Sequence, residues 1–337
     1  MKSFQRPLSL GALLLLLLVS ASLTGCGKSE DPATTGGKNG QTTAPARKSL
    51  AVIPKGTQHS FWKSVESGAR KAGQEFNVEV IWKGPLQESD RAGQIQLVQQ
   101  FVTQGVDGIA LAPLDQKALV GPVRSAGAAK IPVVIFDSAL EGESGKDFIS
   151  FVATNNRNGG KLAGEQMVKL LGGKGKVVLL RYQVGSASTT EREEGFLEVI
   201  RQHPDIQLLV DNRYAGASAA EAKNESLNIL DSLKQADGVY CPNESSTQGM
   251  LLALRQEGLA GKIKFVGFDA SQVLVQALKD GEIQALVVQN PVKMGYEAVK
   301  ALAAALNGSP VEPVIDTGAA LVTLENLQDP SVQELIQ

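Results

Sequence analysis

Residues 131–137 read Ile131-Pro132-Val133-Val134-Ile135-Phe136-Asp137, an apolar run that ends abruptly on a carboxylate. A strand with one face in water alternates apolar and polar residues. A run that is apolar at every position suits a strand covered on both faces, as in a parallel sheet between helix layers. The pattern returns along the chain. Strands are predicted over Leu50–Pro54, Val78–Trp82, Gly108–Leu111, Pro132–Phe136 and Ile149–Ala153. A second series follows at Lys176–Leu180, Ile206–Val210, Gly238–Tyr240, Lys264–Gly267 and Ala285–Val288.

Helical spacing fills the intervals. Phe61, Val65, Ala69, Ala72 and Phe76 recur at helical period, as do Ile95, Val98 and Val102. Gly105, Gly172 and Gly258 stand where helix C-caps are expected. Ten strands exceed what one ordinary sheet carries, so the economical reading is α/β with two doubly wound parallel-sheet lobes. A helix over Val292–Leu306 and a segment Ala319–Val322 complete the chain, and periodicity does not say which lobe takes them.

The length of 337 residues suits two domains. A formal net charge of −2 and a charged fraction of 20% fit neither a disordered chain nor a basic nucleic-acid binder. Two Cys exclude a disulfide scaffold and two His exclude a His-rich metal site. The 43% hydrophobic content is inflated by one block: Lys2 and Arg6 precede an apolar run from Leu8 to Val19, which has signal-peptide proportions. Directly after it, Leu23-Thr24-Gly25-Cys26 resembles the lipobox of bacterial lipoproteins. The expectation is a signal peptide over 1–25, a lipid on Cys26 and a polar tether over 26–47 with a reach of roughly 25 Å. Loss of Lys2 and Arg6 takes the formal charge from −2 to −4. Cys241 follows an apolar run and reads as a buried small hydrophobe.

Open α/β sheets bind ligands beyond the carboxyl ends of their strands. The residues following each run are therefore the candidates. Lys55, Gly56, His59, Phe61 and Trp62 follow the first; Asp137 follows the Val133 run. Asn243 and Glu244 follow Val239-Tyr240, Asp269 follows Val266-Gly267-Phe268, and Gln289 and Asn290 follow Val287-Val288. Arg192 falls at an expected helix start. Singly, each Asp or Asn is most simply a turn or N-cap residue. Together, acidic acceptors, amides, a guanidinium and an aromatic pair are what a small neutral polyol requires, because its hydroxyls donate and accept while its C–H faces pack on rings. Glu191, Glu193 and Glu194 read as solvated helix charges, and His203 as turn punctuation.

Catalytic and nucleotide motifs fail. Gly172-Gly173-Lys174-Gly175 precedes a strand, and Gly142–Asp147 lacks the leading Gly and the Ser or Thr of a P-loop. No G-x-S-x-G or H-E-x-x-H is present. Neither an enzyme nor a cofactor or metal is expected.

From Lys48 onward the chain resembles bacterial periplasmic sugar-binding proteins of the ribose-binding-like type, the substrate-binding subunits of monosaccharide ABC transporters. The resemblance rests on Phe61–Ala69 (FWKSVESGA), Ile131–Asp137 (IPVVIFD), Gly159–Gly164 (GGKLAG), Glu191–Phe196 (EREEGF), Val266–Asp269 (VGFD) and the Gln289 segment, in order across both halves. It implies a type I periplasmic binding protein fold with a three-strand hinge. Lobe 1 would comprise 48–153 and 290–316, and lobe 2 would comprise 154–289 and 317–337. It implies ligand contacts from Asp137, Arg192, Asn243, Asp269 and Gln289, with Phe61 and Trp62 stacking. Four positions depart from the ribose-binding pattern. Lys55 stands for a small hydroxyl residue, His59 for Asn, Gly216 for a second-lobe Phe and Ser138 for Arg. Lys55 and His59 therefore join the candidate site. The implied partners are a monosaccharide-like small molecule, the ABC permease subunits and a membrane reached through the lipid, with no nucleic acid and a monomeric state. The alternative is a sensor that presents its closed form to a membrane receptor.

Overall fold

A computed structural model describes residues 47–336. The expected signal peptide, Cys26 and the tether up to residue 46 lie outside the described residues. Among the described residues twelve strands and eleven helices occur, beginning β1 Ser49–Ile53, α1 Ser60–Glu75, β2 Glu79–Trp82, α2 Arg91–Gln104, β3 Gly108–Leu111, α3 Val120–Ala128, β4 Val133–Phe136 and β5 Ser150–Ala153. Next come α4 Asn156–Leu171, β6 Gly175–Arg181, α5 Ala187–Ile200, β7 Ile206–Tyr214, α6 Ala219–Asn228, α7 Leu230–Leu233, β8 Gly238–Tyr240, α8 Glu244–Gln256, β9 Lys264–Phe268, α9 Gln272–Lys279 and β10 Ala285–Gln289. The chain closes with α10 Pro291–Leu306, β11 Val314–Asp316, β12 Ala319–Val322 and α11 Pro330–Ile336.

The strands form two six-stranded sheets of the same order, β11-β5-β4-β3-β1-β2 and β12-β10-β9-β8-β6-β7. All pairings are parallel except β10 with β12. The continuous apolar runs are explained by a core on each side of each sheet. In the first lobe Leu50 and Val52 pack with α1 and α10, while Ala51 and Ile53 pack with α2 and α3. In the second, Val178 and Leu180 face α6, α8 and α9, while Val177 and Leu179 face α4 and α5. Gly105 and Gly172 close α2 and α4 in the left-handed conformation. Cys241 is fully buried in the second core.

The chain passes between sheets three times, after β5, after β10 and between β11 and β12. The lobes thereby exchange helices. The helix following β5, α4, packs on α5 of the second lobe, and the helix following β10, α10, packs on α1 of the first. Both crossings are closed by glycine. A Cβ on Gly68 would lie 1.9 Å from Val292 O, and one on Gly160 would lie 2.0 Å from Arg192 O.

Three expectations need correction. Glu193 is not a solvated charge: it is 2% exposed and accepts from Tyr182 N–H at 2.9 Å and Arg181 Nη1 at 2.8 Å. Its burial pushes it up to about 7 against those donors. Arg192 sits in the second turn of α5 instead of at its start. The buried stripe of α1 runs through Trp62, Val65, Ala69 and Ala72, with Phe61 at its half-buried edge.

Candidate functional site

Between the carboxyl ends of the two sheets lies a cleft with about 330 Å³ of empty space. Lys55, His59, Phe61, Trp62, Asp137, Arg192, Asn243, Asp269 and Gln289 all line it. The β1–α1 loop and first turn of α1 supply the first four. Asp137 and Asp269 stand just past β4 and β9, Gln289 ends β10, and Arg192 comes from α5. Asn243 is also the N-cap of α8, so its turn role and its place in the cleft coincide.

The second lobe's polar groups are held as a chain. The Arg192 guanidinium donates to Asn156 Oδ1 at 2.8 Å, Pro242 O at 3.0 Å and Gln289 Oε1 at 2.8 Å. It lies 4.0 Å from the Phe268 ring centre. Gln289 Nε2 then donates to Asp269 Oδ1 at 2.8 Å, and the Glu244 N–H donates to Asp269 Oδ2 at 2.8 Å. Burial pushes Asp269 up to about 6, against the pull of Arg192 and Gln289.

The first lobe opposes it with buried charges. Lys55, 3% exposed, holds its Nζ 3.0 Å from Asp137 Oδ2. That oxygen makes no well-aligned hydrogen bond, so the contact is one of charge and leaves lone pairs for another donor. Lys55 also donates across the cleft to Ser188 Oγ at 2.9 Å. Ser138 accepts from the Ser188 N–H at 3.1 Å. The lobes thus stand closed on one another.

Sequence reasoning missed Glu88, Tyr182, Ser188 and Thr189, which also line the cleft, and named Glu244 as a strand-end residue without assigning it a ligand contact. Tyr182 follows β6 as Asp137 follows β4, so the strand-end rule could have found it. Glu88 lies in a turn between β2 and α2, where the sequence carries no signal. Gly216 faces Glu221 outside this cleft, and the second lobe's aromatic wall is Tyr182. Among the described residues no group of three His, Cys, Asp or Glu side chains is placed to hold a metal ion, and no helix is long and apolar enough to cross a membrane.

The periplasmic binding protein domain family matches residues 50–310. A D-ribose/D-allose-binding protein from Pseudomonas aeruginosa is 29% identical, over 83% of this chain and 90% of its own length. The solved periplasmic component of an ABC-type sugar transport system from Hahella chejuensis is 37% identical with TM-score 0.78, covering 82% of this chain and 99% of its own. An ABC transporter solute-binding protein from Agrobacterium vitis, solved with D-fucose, is 35% identical with TM-score 0.82, covering 86% and 100%. The chain belongs to the periplasmic binding protein family, among its ribose-binding-like sugar-binding members, and is a solute-binding protein and not an enzyme.

Proposed function

We propose that the chain binds a monosaccharide or related polyol in the interlobe cleft and delivers it to an ABC permease. The observation that carries this reading is the cleft itself. It presents Asp137 and Asp269 as acceptors, Arg192 and Lys55 as donors, Asn243 and Gln289 as both, and Phe61 and Trp62 as an apolar wall. Its polar lining comes from both lobes within one compact cleft, which suits one sugar ring better than a chain of them. Ligand contacts to both lobes exist together only when the lobes are closed, so binding favours closure. Family membership implies a location outside the cytoplasm. The signal-like segment over 1–25 and Cys26 support a lipid-anchored protein that loads its ligand there and meets the permease at the membrane.

A thermal-shift panel tests the reading. It should include D-fucose, D-ribose, D-allose and other pentoses, hexoses, polyols and sugar acids. A ligand at a hundred times its Kd stabilises by about 2.7 kcal/mol, a readily visible shift. A panel with no shift from any sugar or polyol would count against it.

A further inference from the structure

Glu88 gathers donors from both lobes onto one buried carboxylate. Its Oε1 accepts from His59 Nδ1 at 2.6 Å and Trp62 Nε1 at 2.7 Å, and its Oε2 accepts from the Tyr182 hydroxyl at 2.7 Å. Gly56 makes room for it, since a Cβ there would lie 2.8 Å from Glu88 Cγ. With Nδ1 committed to Glu88, His59 keeps Nε2 free of any hydrogen bond among the described residues, and His59 lines the cleft. Burial alone would pull the imidazole down. Glu88 in contact, with Glu244 and Asp269 behind it, offsets this and raises it to about 9. Burial would likewise push Glu88 up, yet His59, Lys55 and the Trp62 bond hold it down to about 2. Tyr182, the remaining titratable group on Glu88, is pushed up by burial and by that carboxylate, so it stays a donor.

We propose that Glu88 is the positioning residue of the cleft: it fixes His59 so that Nε2–H donates to an acceptor oxygen of the ligand, it orients Trp62, and it clasps Tyr182 as the lobes close. The proposal rests on the cleft being the ligand site. Two of the three donors come from Glu88's own lobe and survive opening. The Tyr182 bond spans the lobes and does not, so the first-lobe half of the device is preformed and Tyr182 is the part that moves.

The first test needs no ligand. The chain has two histidines, so His203→Gln assigns the His59 resonances in an NMR titration. His59 is expected to titrate near 9 in the otherwise unaltered protein and markedly lower once Glu88→Gln is added, because burial is then opposed by Glu244 and Asp269 alone. Titration near 6.5 with Glu88 present overturns the proposal. The second test takes the first sugar that stabilises the wild type and measures Kd from pH 6 to 8. The affinity ratio of wild type to Glu88→Gln is expected to widen by about tenfold across that range, the size of one charge-assisted hydrogen bond. A constant ratio overturns the donor role. Tyr182→Phe keeps the packing and removes the clasp, and is expected to raise the dissociation rate about tenfold with association unchanged. Wild-type dissociation in that variant overturns the clasp. A wild type that binds no sugar overturns the functional reading and the ligand-facing half of the proposal together, and the titration then decides the Glu88–His59 pair alone.

Discussion

Asp137 and Asp269 occupy the same position in the two lobes. Each is the first residue past the fourth strand of its half, each has a left-handed φ, 61° and 70°, and each donates its N–H to the neighbouring strand, to Val152 O at 3.0 Å and Val287 O at 2.8 Å. Left-handed backbone is uncommon for a residue with a side chain, though Asp tolerates it better than most. The two lobes thus aim one carboxylate each into the cleft with the same backbone device.

The two carboxylates differ in what their loss does. Asp137→Asn takes from Lys55, 3% exposed, the carboxylate in contact with it and leaves only the more distant Glu88. Stability is expected to fall by about 3 kcal/mol. The double variant Lys55→Met, Asp137→Asn should recover much of it, as measured by denaturant unfolding. A double variant no more stable than the single one would remove the charge pair as the cause.

Asp269 makes ligand affinity sensitive to acid. Its folded value, raised by burial to about 6 from 3.8, means the folded protein binds more protons than the unfolded chain between those values. Its contribution to unliganded stability is therefore full below pH 3.8 and lost as pH rises through about 6. Ligand hydroxyls need the carboxylate form, so affinity should move the other way and weaken as pH falls through about 6. Calorimetry at pH 5 and pH 7 checks this, and Asp269→Ala should abolish the difference along with most of the binding.

Helix α1 borrows its cap from the opposite lobe. Its own N-cap residue, His59, makes no capping bond, and the Glu244 carboxylate accepts from Ser60 N–H at 3.2 Å and Phe61 N–H at 2.9 Å. Glu244→Ala should destabilise the closed form by about 1 kcal/mol, the usual worth of a cap. Ligand affinity would weaken about fivefold, and small-angle scattering of the unliganded protein should show a larger radius of gyration.

The glycines at the exchanged helices divide sharply from those on the surface. Gly160→Ala would force α4 away from the α5 backbone at Arg192, where the new Cβ would lie 2.0 Å from the carbonyl. A loss of about 1–3 kcal/mol is expected, with weaker ligand binding because Arg192 moves. Gly127→Ala in α3 meets nothing within 4 Å and should stabilise by about 0.5–1 kcal/mol. Melting temperatures of the two variants should move in opposite directions.

Much of this was legible in the sequence. Strands covered on both faces announce themselves as unbroken apolar runs, and nine of the ten predicted strands begin within one residue of the observed start and end within one residue of the observed end, as β3 and β8 do without any shift. Strand β7 runs on to Tyr214 because its outer half is exposed and polar, and β11 escaped notice because Val314 and Asp316 lie exposed at a sheet edge. The carboxylates and amides at strand ends were legible because topology puts every such end at the cleft. Glu88 was not, since its partners His59 and Tyr182 lie 29 and 94 positions away and only the tertiary fold brings them together.

The helix exchange also sets the order in which the molecule can finish folding. No continuous stretch of chain contains a whole lobe: the first lacks α10 and β11 until residues 291–316 are available, and the second begins with a helix fed from the first sheet. The buried face of α1, with Gly68 against Val292, stays uncovered while more than two hundred residues of intervening chain are laid down. Such distant contacts slow folding. Neither lobe can therefore be completed until residues 291–322 are in place.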